Sequence, residues 1–169
     1  MPMQKEQWFL ATYAPPEDNR LRLFRLLAGH NITAWTPEYE AEYHYPGRTV
    51  TRQCALFTGY FFIRLNLNHV PTDFLYQQTG FRGFVRQGNQ LQPVPEKLVC
   101  ELQRCFPERL SLSDFGLRYP RCARKPAVSL SRSEYGRLMR VLQAPDNQRN
   151  TLLLSFLFHH PTNAPARLS

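Results

Sequence analysis

Nothing in this 169-residue chain approaches the roughly 18 uninterrupted apolar residues that a membrane-spanning helix needs. Its start, Met1-Pro2-Met3-Gln4-Lys5, leads into strand-like sequence without a secretory core, so a soluble cytoplasmic protein is expected. Cysteine is sparse. Cys54, Cys100, Cys105 and Cys122 are irregularly spaced, a poor disulfide framework for this length, and read as reduced thiols. Cys100 and Cys105 have the wrong separation for a C-x2-C zinc knuckle. His159-His160 has no matched cysteine pair, and His30, His44 and His69 are scattered, so no metal site is expected. Glycine is scarce too, and falls mostly at predicted turns rather than in a phosphate-cradling loop. With no Ser-His-Asp order and no paired carboxylates either, the chain reads as a binding protein that needs neither catalysis nor a cofactor.

What is present is positive charge. The net charge is +8 and the isoelectric point near 9.7, which favours a polyanionic partner because each cation that meets a phosphate releases condensed counterions. Arginine supplies most of it, which suits planar contacts to phosphates and stacked bases. At 43% hydrophobic residues, a packed core is affordable.

The longest stretch with strand character is Leu56-Phe57-Thr58-Gly59-Tyr60-Phe61-Phe62-Ile63-Arg64-Leu65-Asn66-Leu67. Alternation puts Phe61, Ile63, Leu65 and Leu67 on one face, which is wholly apolar and should lie on a core beneath helices. Tyr60, Phe62, Arg64 and Asn66 share the other. Two aromatics beside an arginine suit a surface that meets a partner, and equally a face covered by a helix of the same chain.

Around this strand the chain reads as an α/β unit. Trp8 to Tyr13 forms a first strand, and Ala14-Pro15-Pro16 ends it. A helix from Glu17 to about Ala28 follows, with carboxylates in its first turn and Gly29 as its stop. Its buried stripe is expected at Leu21, Phe24, Leu27 and Ala28, with Arg22 and Arg25 together on the outer face. Ile32 to Thr36 is a strand, and residues 39–45 and 48–53 form a hairpin turning at Pro46-Gly47. After the central strand come a short helix opened by Pro71, the strand-like Phe81-Arg82-Gly83-Phe84-Val85-Arg86, and a helix from Pro95-Glu96 to Phe106-Pro107. Residues 1–106 are therefore expected as one domain and 107–126, rich in proline and arginine, as a linker. Residues 127–169 would form a small second domain.

That tail reads two ways. Ser131-Arg132-Ser133-Glu134 matches a capping box, with Tyr135, Leu138, Met139 and Leu142 at helical spacing. A second helix capped by Asn150 or Thr151 would run through Leu152 to Phe158. Yet Val128, Leu130, Leu138, Val141 and the run Leu152 to Phe158 can equally be written as strands of a small barrel, and both readings stay open.

The ordered motifs Leu56-Phe57-Thr58-Gly59-Tyr60-Phe61-Phe62-Ile63 and Gly80-Phe81-Arg82-Gly83-Phe84-Val85, after a tryptophan-led strand, a helix and a hairpin, resemble the N-terminal (NGN) domain of the NusG family of transcription elongation factors. The family pattern Leu-Phe-Pro-Gly-Tyr carries Thr58 here in place of proline. The tail around Gly136 to Val141, Ala144-Pro145-Asp146 and Leu152-Leu153-Leu154 resembles the KOW domain of the specialised RfaH branch. The resemblance implies an α+β NGN domain, an antiparallel sheet flanked by helices, followed by a KOW-like tail that is a β-barrel, a helical hairpin or a switch between them.

It also implies partners. Tyr60 and Phe62 would contact the clamp helices of RNA polymerase, with Phe57, Phe81 and Phe84 shaping the pocket, and Thr72 alone survives from the branch's gate-loop motif. Arg22 and Arg25, with Arg20 ranked lower, would meet the non-template DNA strand. A monomer is implied that suppresses pausing and termination, with a released tail able to recruit the ribosome. The branch's interdomain ion pair starts from a glutamate where this chain has Cys54, so a closed state should rest mainly on apolar contacts. Two alternatives remain: an RNA-binding or ribosome-associated module that ignores polymerase, and a general elongation factor without sequence preference.

Overall fold

A computed structural model of the chain describes residues 5–106, 110–111 and 130–158. The expected linker, apart from Leu110–Ser111, lies outside the described residues, as do Cys122 and His159-His160.

In chain order the elements are β1 (Gln7–Tyr13), α1 (Glu17–Gly29), β2 (Thr33–Trp35), β3 (Glu38–Tyr45), β4 (Arg48–Ala55), β5 (Tyr60–Leu65), α2 (Thr72–Tyr76), β6 (Phe81–Phe84), β7 (Arg86–Gln87), β8 (Gln90–Leu91), α3 (Glu96–Cys105), β9 (Leu110–Ser111), α4 (Arg132–Gln143) and α5 (Asp146–Phe158). The main sheet has the order β2-β5-β1-β6, and every neighbouring pair is antiparallel. This is the NGN-type architecture, an antiparallel sheet flanked by helices.

The organising strand lies inside this sheet, between β1 and β2. Its register pairs Phe61 with Ala11, Ile63 with Phe9 and Leu65 with Gln7. Residues opposite one another across an antiparallel pair share a face. The odd-numbered face is accordingly one core, where Phe9, Ala11, Tyr13, Phe61 and Ile63 pack against Leu23 and Leu27 of α1 and Leu75 of α2. The even-numbered face forms a second core, and it too is covered by helices. Trp8, Leu10 and Phe62 pack against Leu98, Val99 and Leu102 of α3, and against residues of both α4 and α5.

The tail in this structure is therefore a helical hairpin, and it lies on the even face. Ser131 caps α4 as expected: its hydroxyl accepts from the Glu134 amide at 3.1 Å, and its own amide donates to the Glu134 carboxylate at 3.2 Å. The second helix begins at Asp146, earlier than the expected Asn150 or Thr151. Pro145 starts it, its carbonyl accepting from the amides of Gln148 and Arg149.

Helix α1 is rotated from its expected phase. Arg20, Leu23 and Leu27 face inward, Phe24 is half-buried, and Leu21 and Ala28 are exposed. The segment Leu21-Arg22-Leu23-Phe24-Arg25-Leu26-Leu27-Ala28 is apolar nearly all round, so periodicity alone leaves the phase loose. A polar interaction at Arg20, described below, helps fix it.

Candidate functional site

The even face is reached from a tight turn. Residues 57–60 close with the Tyr60 amide donating to the Phe57 carbonyl at 3.0 Å, and Gly59 at the third position has φ 87°. That is the backbone a type II turn needs, where glycine avoids the penalty a Cβ would bring. Proline is favoured at the second position of such a turn for its fixed φ, but the turn does not require it, and Thr58 holds the same geometry. Tyr60 leaves the turn half-buried at the margin of the even-face core, while Phe57 and Phe62 are fully buried within it. Trp35 stacks on Phe62 with ring centroids 6.0 Å apart.

The helical hairpin covers this group. Leu138, Val141 and Leu142 of α4 and Leu153, Phe156 and Leu157 of α5 are all buried in the shared core. Each such side chain contributes on the order of 1.5–3 kcal/mol relative to leaving it in water.

Polar contacts add to this apolar cover and fix the hairpin's position. Arg149 is 4% exposed; its guanidinium donates to the Leu56 carbonyl at 3.0 Å and to the Ala144 carbonyl at 3.0 Å, and pairs with Asp146 at 2.8 Å. Asn150 donates to the Thr58 carbonyl at 2.9 Å. Helix α5 thus holds two carbonyls at the turn that presents Tyr60. At the far end Gln87 donates to the Phe158 carbonyl at 2.9 Å. Across the other helix Lys97 of α3 pairs with Glu134 at 2.9 Å. Burial alone would raise the Glu134 carboxyl, but hydrogen bonds from Lys97 and from the Ser131 amide and hydroxyl outweigh it and hold the group below its ordinary value. Cys54 takes no part in an interdomain ion pair among the described residues. The interdomain ion pair instead joins Lys97 of α3 to Glu134 of α4.

Phe81 and Phe84 do not join this site. They lie in the odd-face core, 5.4 Å apart, with Phe61 6.3 Å from Phe81 and Phe9 5.9 Å from Phe84. A bulge is the reason: β1 pairs Ala11 with Phe84 and Thr12 with Gly83, but Tyr13 with Phe81, so Arg82 is an extra residue. Gly83, at φ 154°, takes the irregular backbone. Two phenylalanines three apart, which a regular strand would send to opposite faces, end on the same one.

Thr72 is half-buried at the start of α2, whose Leu75 belongs to the odd-face core. Arg20 is 3% exposed and makes ion pairs with Glu17 at 2.9 Å and Glu38 at 2.7 Å. Its cation is committed to tying α1 to the base of the β3–β4 hairpin, which removes it from the residues available to DNA. Tyr13 closes the same network: its hydroxyl donates to Glu17 at 2.6 Å, and burial, then that carboxylate, push the phenol up to about 12. Arg22 and Arg25 are both exposed on the outer side of α1, with no ion-pair partner among the described residues.

Among the described residues no group of three or more potential metal ligands is present, and no helix is long and apolar enough to cross a membrane. A family model described as transcription termination factor NusG matches residues 6–103. No curated protein matches the chain. NusG-family factors are non-enzymatic and act on RNA polymerase in the cytoplasm. The match spans more than half of the sequence and covers the main sheet with α1, α2 and most of α3, so the chain belongs to the NusG family of transcription elongation and termination factors.

Proposed function

We propose that this chain is a specialised, RfaH-like antitermination factor whose KOW-like tail masks its polymerase-binding face at rest. The observation that carries the reading is the helical hairpin seated over Phe57, Tyr60 and Phe62. An elongation factor that is always available has no use for six apolar side chains and a buried arginine spent on covering that face. In this reading Tyr60 and Phe62 meet the clamp helices once the hairpin leaves, Phe57 supports them, and Thr72 touches the gate loop. Arg22 and Arg25 meet the non-template strand, where arginine can neutralise phosphate and stack on an unpaired base. The released tail refolds as a barrel able to recruit the ribosome. The factor acts as a monomer, without a cofactor, in the bacterial cytoplasm.

The experiment is a transcription assay on templates that differ only in the non-template sequence exposed at a pause, with polymerase pull-down in parallel. A specialised factor suppresses pausing on some templates only, and Arg22→Gln with Arg25→Gln abolishes the preference. Equal suppression on all templates makes it a general factor, and retention of RNA without polymerase makes it an RNA-binding module.

A further inference from the structure

The β3–β4 hairpin has two chemically opposite faces. Its ladder pairs Tyr45 with Arg48, Tyr43 with Val50 and Ala41 with Arg52 on one side, and Glu42 with Thr51, Glu40 with Gln53 and Glu38 with Ala55 on the other. Every arginine of the hairpin is on the tyrosine side and every glutamate on the reverse. The Arg48 guanidinium lies 5.5 Å from the Tyr45 ring centroid and that of Arg52 lies 5.3 Å from Tyr43, yet the two tyrosines remain 41% and 40% exposed. Beyond the base, where Tyr39 and Glu40 pair with Leu110 and Ser111, the described strands pair only with each other.

Charges placed only to keep an exposed hairpin soluble have no need to be sorted by sign, and solubility gains nothing from two large rings in water. Alternate side chains on one face of a strand stand about 7 Å apart, which offers one ring to each of two consecutive bases of an unstacked strand, with an arginine lying over each ring to meet its phosphate.

We propose that the Tyr43, Tyr45, Arg48 and Arg52 face binds unpaired nucleic acid, the tyrosines stacking on bases and the arginines holding the backbone. The acidic reverse face sets the orientation: it repels the strand, and Glu38, through Arg20, fixes the hairpin against α1. This surface is separate from Arg22 and Arg25 and does not depend on their role.

The test titrates the full chain against three short labelled probes, single-stranded DNA, RNA of the same sequence and the DNA duplex, at fixed low salt, following anisotropy. The double change Tyr43→Ala, Tyr45→Ala should weaken binding to at least one unpaired probe by about tenfold or more, and Tyr43→Phe, Tyr45→Phe should largely restore it, since stacking needs the ring and not the hydroxyl. Arg48→Gln with Arg52→Gln should weaken binding and flatten its salt dependence, whereas Glu40→Gln with Glu42→Gln should not weaken it. The DNA and RNA arms identify the source of the strand. The proposal is overturned if the unaltered chain binds no unpaired probe, if the alanine pair binds as tightly as the parent, or if the duplex is bound as tightly and with the same tyrosine dependence. Loss confined to Arg22→Gln with Arg25→Gln keeps the α1 contact and removes this one.

Discussion

Arg149, on the second helix of the tail, donates to the carbonyl of Leu56, at the head of the turn that presents Tyr60. A buried cation thereby links the C-terminal hairpin to the main chain of the N-terminal domain, across 93 residues of sequence. Replacing it with methionine keeps much of the apolar stem but leaves the Leu56 and Ala144 carbonyls without that donor. Such orphaned groups cost about 1–3 kcal/mol. Arg149→Met should therefore speed amide exchange across residues 132–158 and raise polymerase affinity. Unchanged exchange there would mean that the arginine does not hold the hairpin down.

The Lys97–Glu134 pair is a weaker tie, because the Lys97 side chain is 38% exposed and exposed pairs contribute about 0.2–1 kcal/mol. Glu134→Gln isolates it, since glutamine still closes the capping box. The expected effect is a rise of no more than about fivefold in the open population, read by the same exchange measurement. Lys97→Ala should match it, and Glu134→Ala should do more by also weakening the cap of α4.

The same pair gives a pH dependence. The docked Glu134 carboxyl lies below its ordinary value of 4.5, so its contribution to docking is complete above that value and is lost as pH falls through the docked one. Acidification below about 4.5 should loosen the hairpin in the parent chain, and Glu134→Gln should remove that component of the response. Parallel pH profiles in the two chains would contradict the assignment.

Arg20 and Arg22 should separate by assay. Arg20→Met should lower the melting temperature, with a stability loss smaller than the about 3–5 kcal/mol of a fully buried pair, because Glu17 and Glu38 are 47% and 30% exposed and can rehydrate. Arg22→Gln should leave the melting temperature alone and weaken DNA binding. A stable Arg20→Met chain that has lost DNA affinity would reverse the assignment.

Phe62 calls for a different probe from Tyr60. It is fully buried and stacked on Trp35, so Phe62→Ala opens a cavity worth about 3–5 kcal/mol and tests stability before it tests binding. Tyr60→Ala, at the half-buried margin, should lower polymerase binding with a much smaller change in melting temperature.

Much of this was legible in the sequence because strand alternation is strict. Phe61, Ile63 and Leu65 against Tyr60 and Phe62 sorted correctly into two faces, but the strand begins only at Tyr60, because a turn through Gly59 interrupts what reads as one strand from Leu56. What was hidden depended on partners distant in sequence. The bulge that puts Phe81 and Phe84 on one face appears only in the register with β1, and the phase of α1 only once Glu38 meets Arg20. The tail's leucine-rich stretch fits a helix or a strand by local rules, and here it is helical where it packs on the N-terminal domain. The tyrosine and arginine sorting on the β3–β4 hairpin was present in the alternation of residues 39–53 and needed only the ladder register to be seen.

The most direct measurement is hydrogen exchange on the full chain, alone and with core RNA polymerase. A masked binding face predicts that residues 132–158 lose protection as polymerase binds, while the strand from Tyr60 to Leu65 keeps or gains it. Polymerase bound with the hairpin as protected as in the free chain would contradict the account, because Phe62 would still be covered when the complex forms.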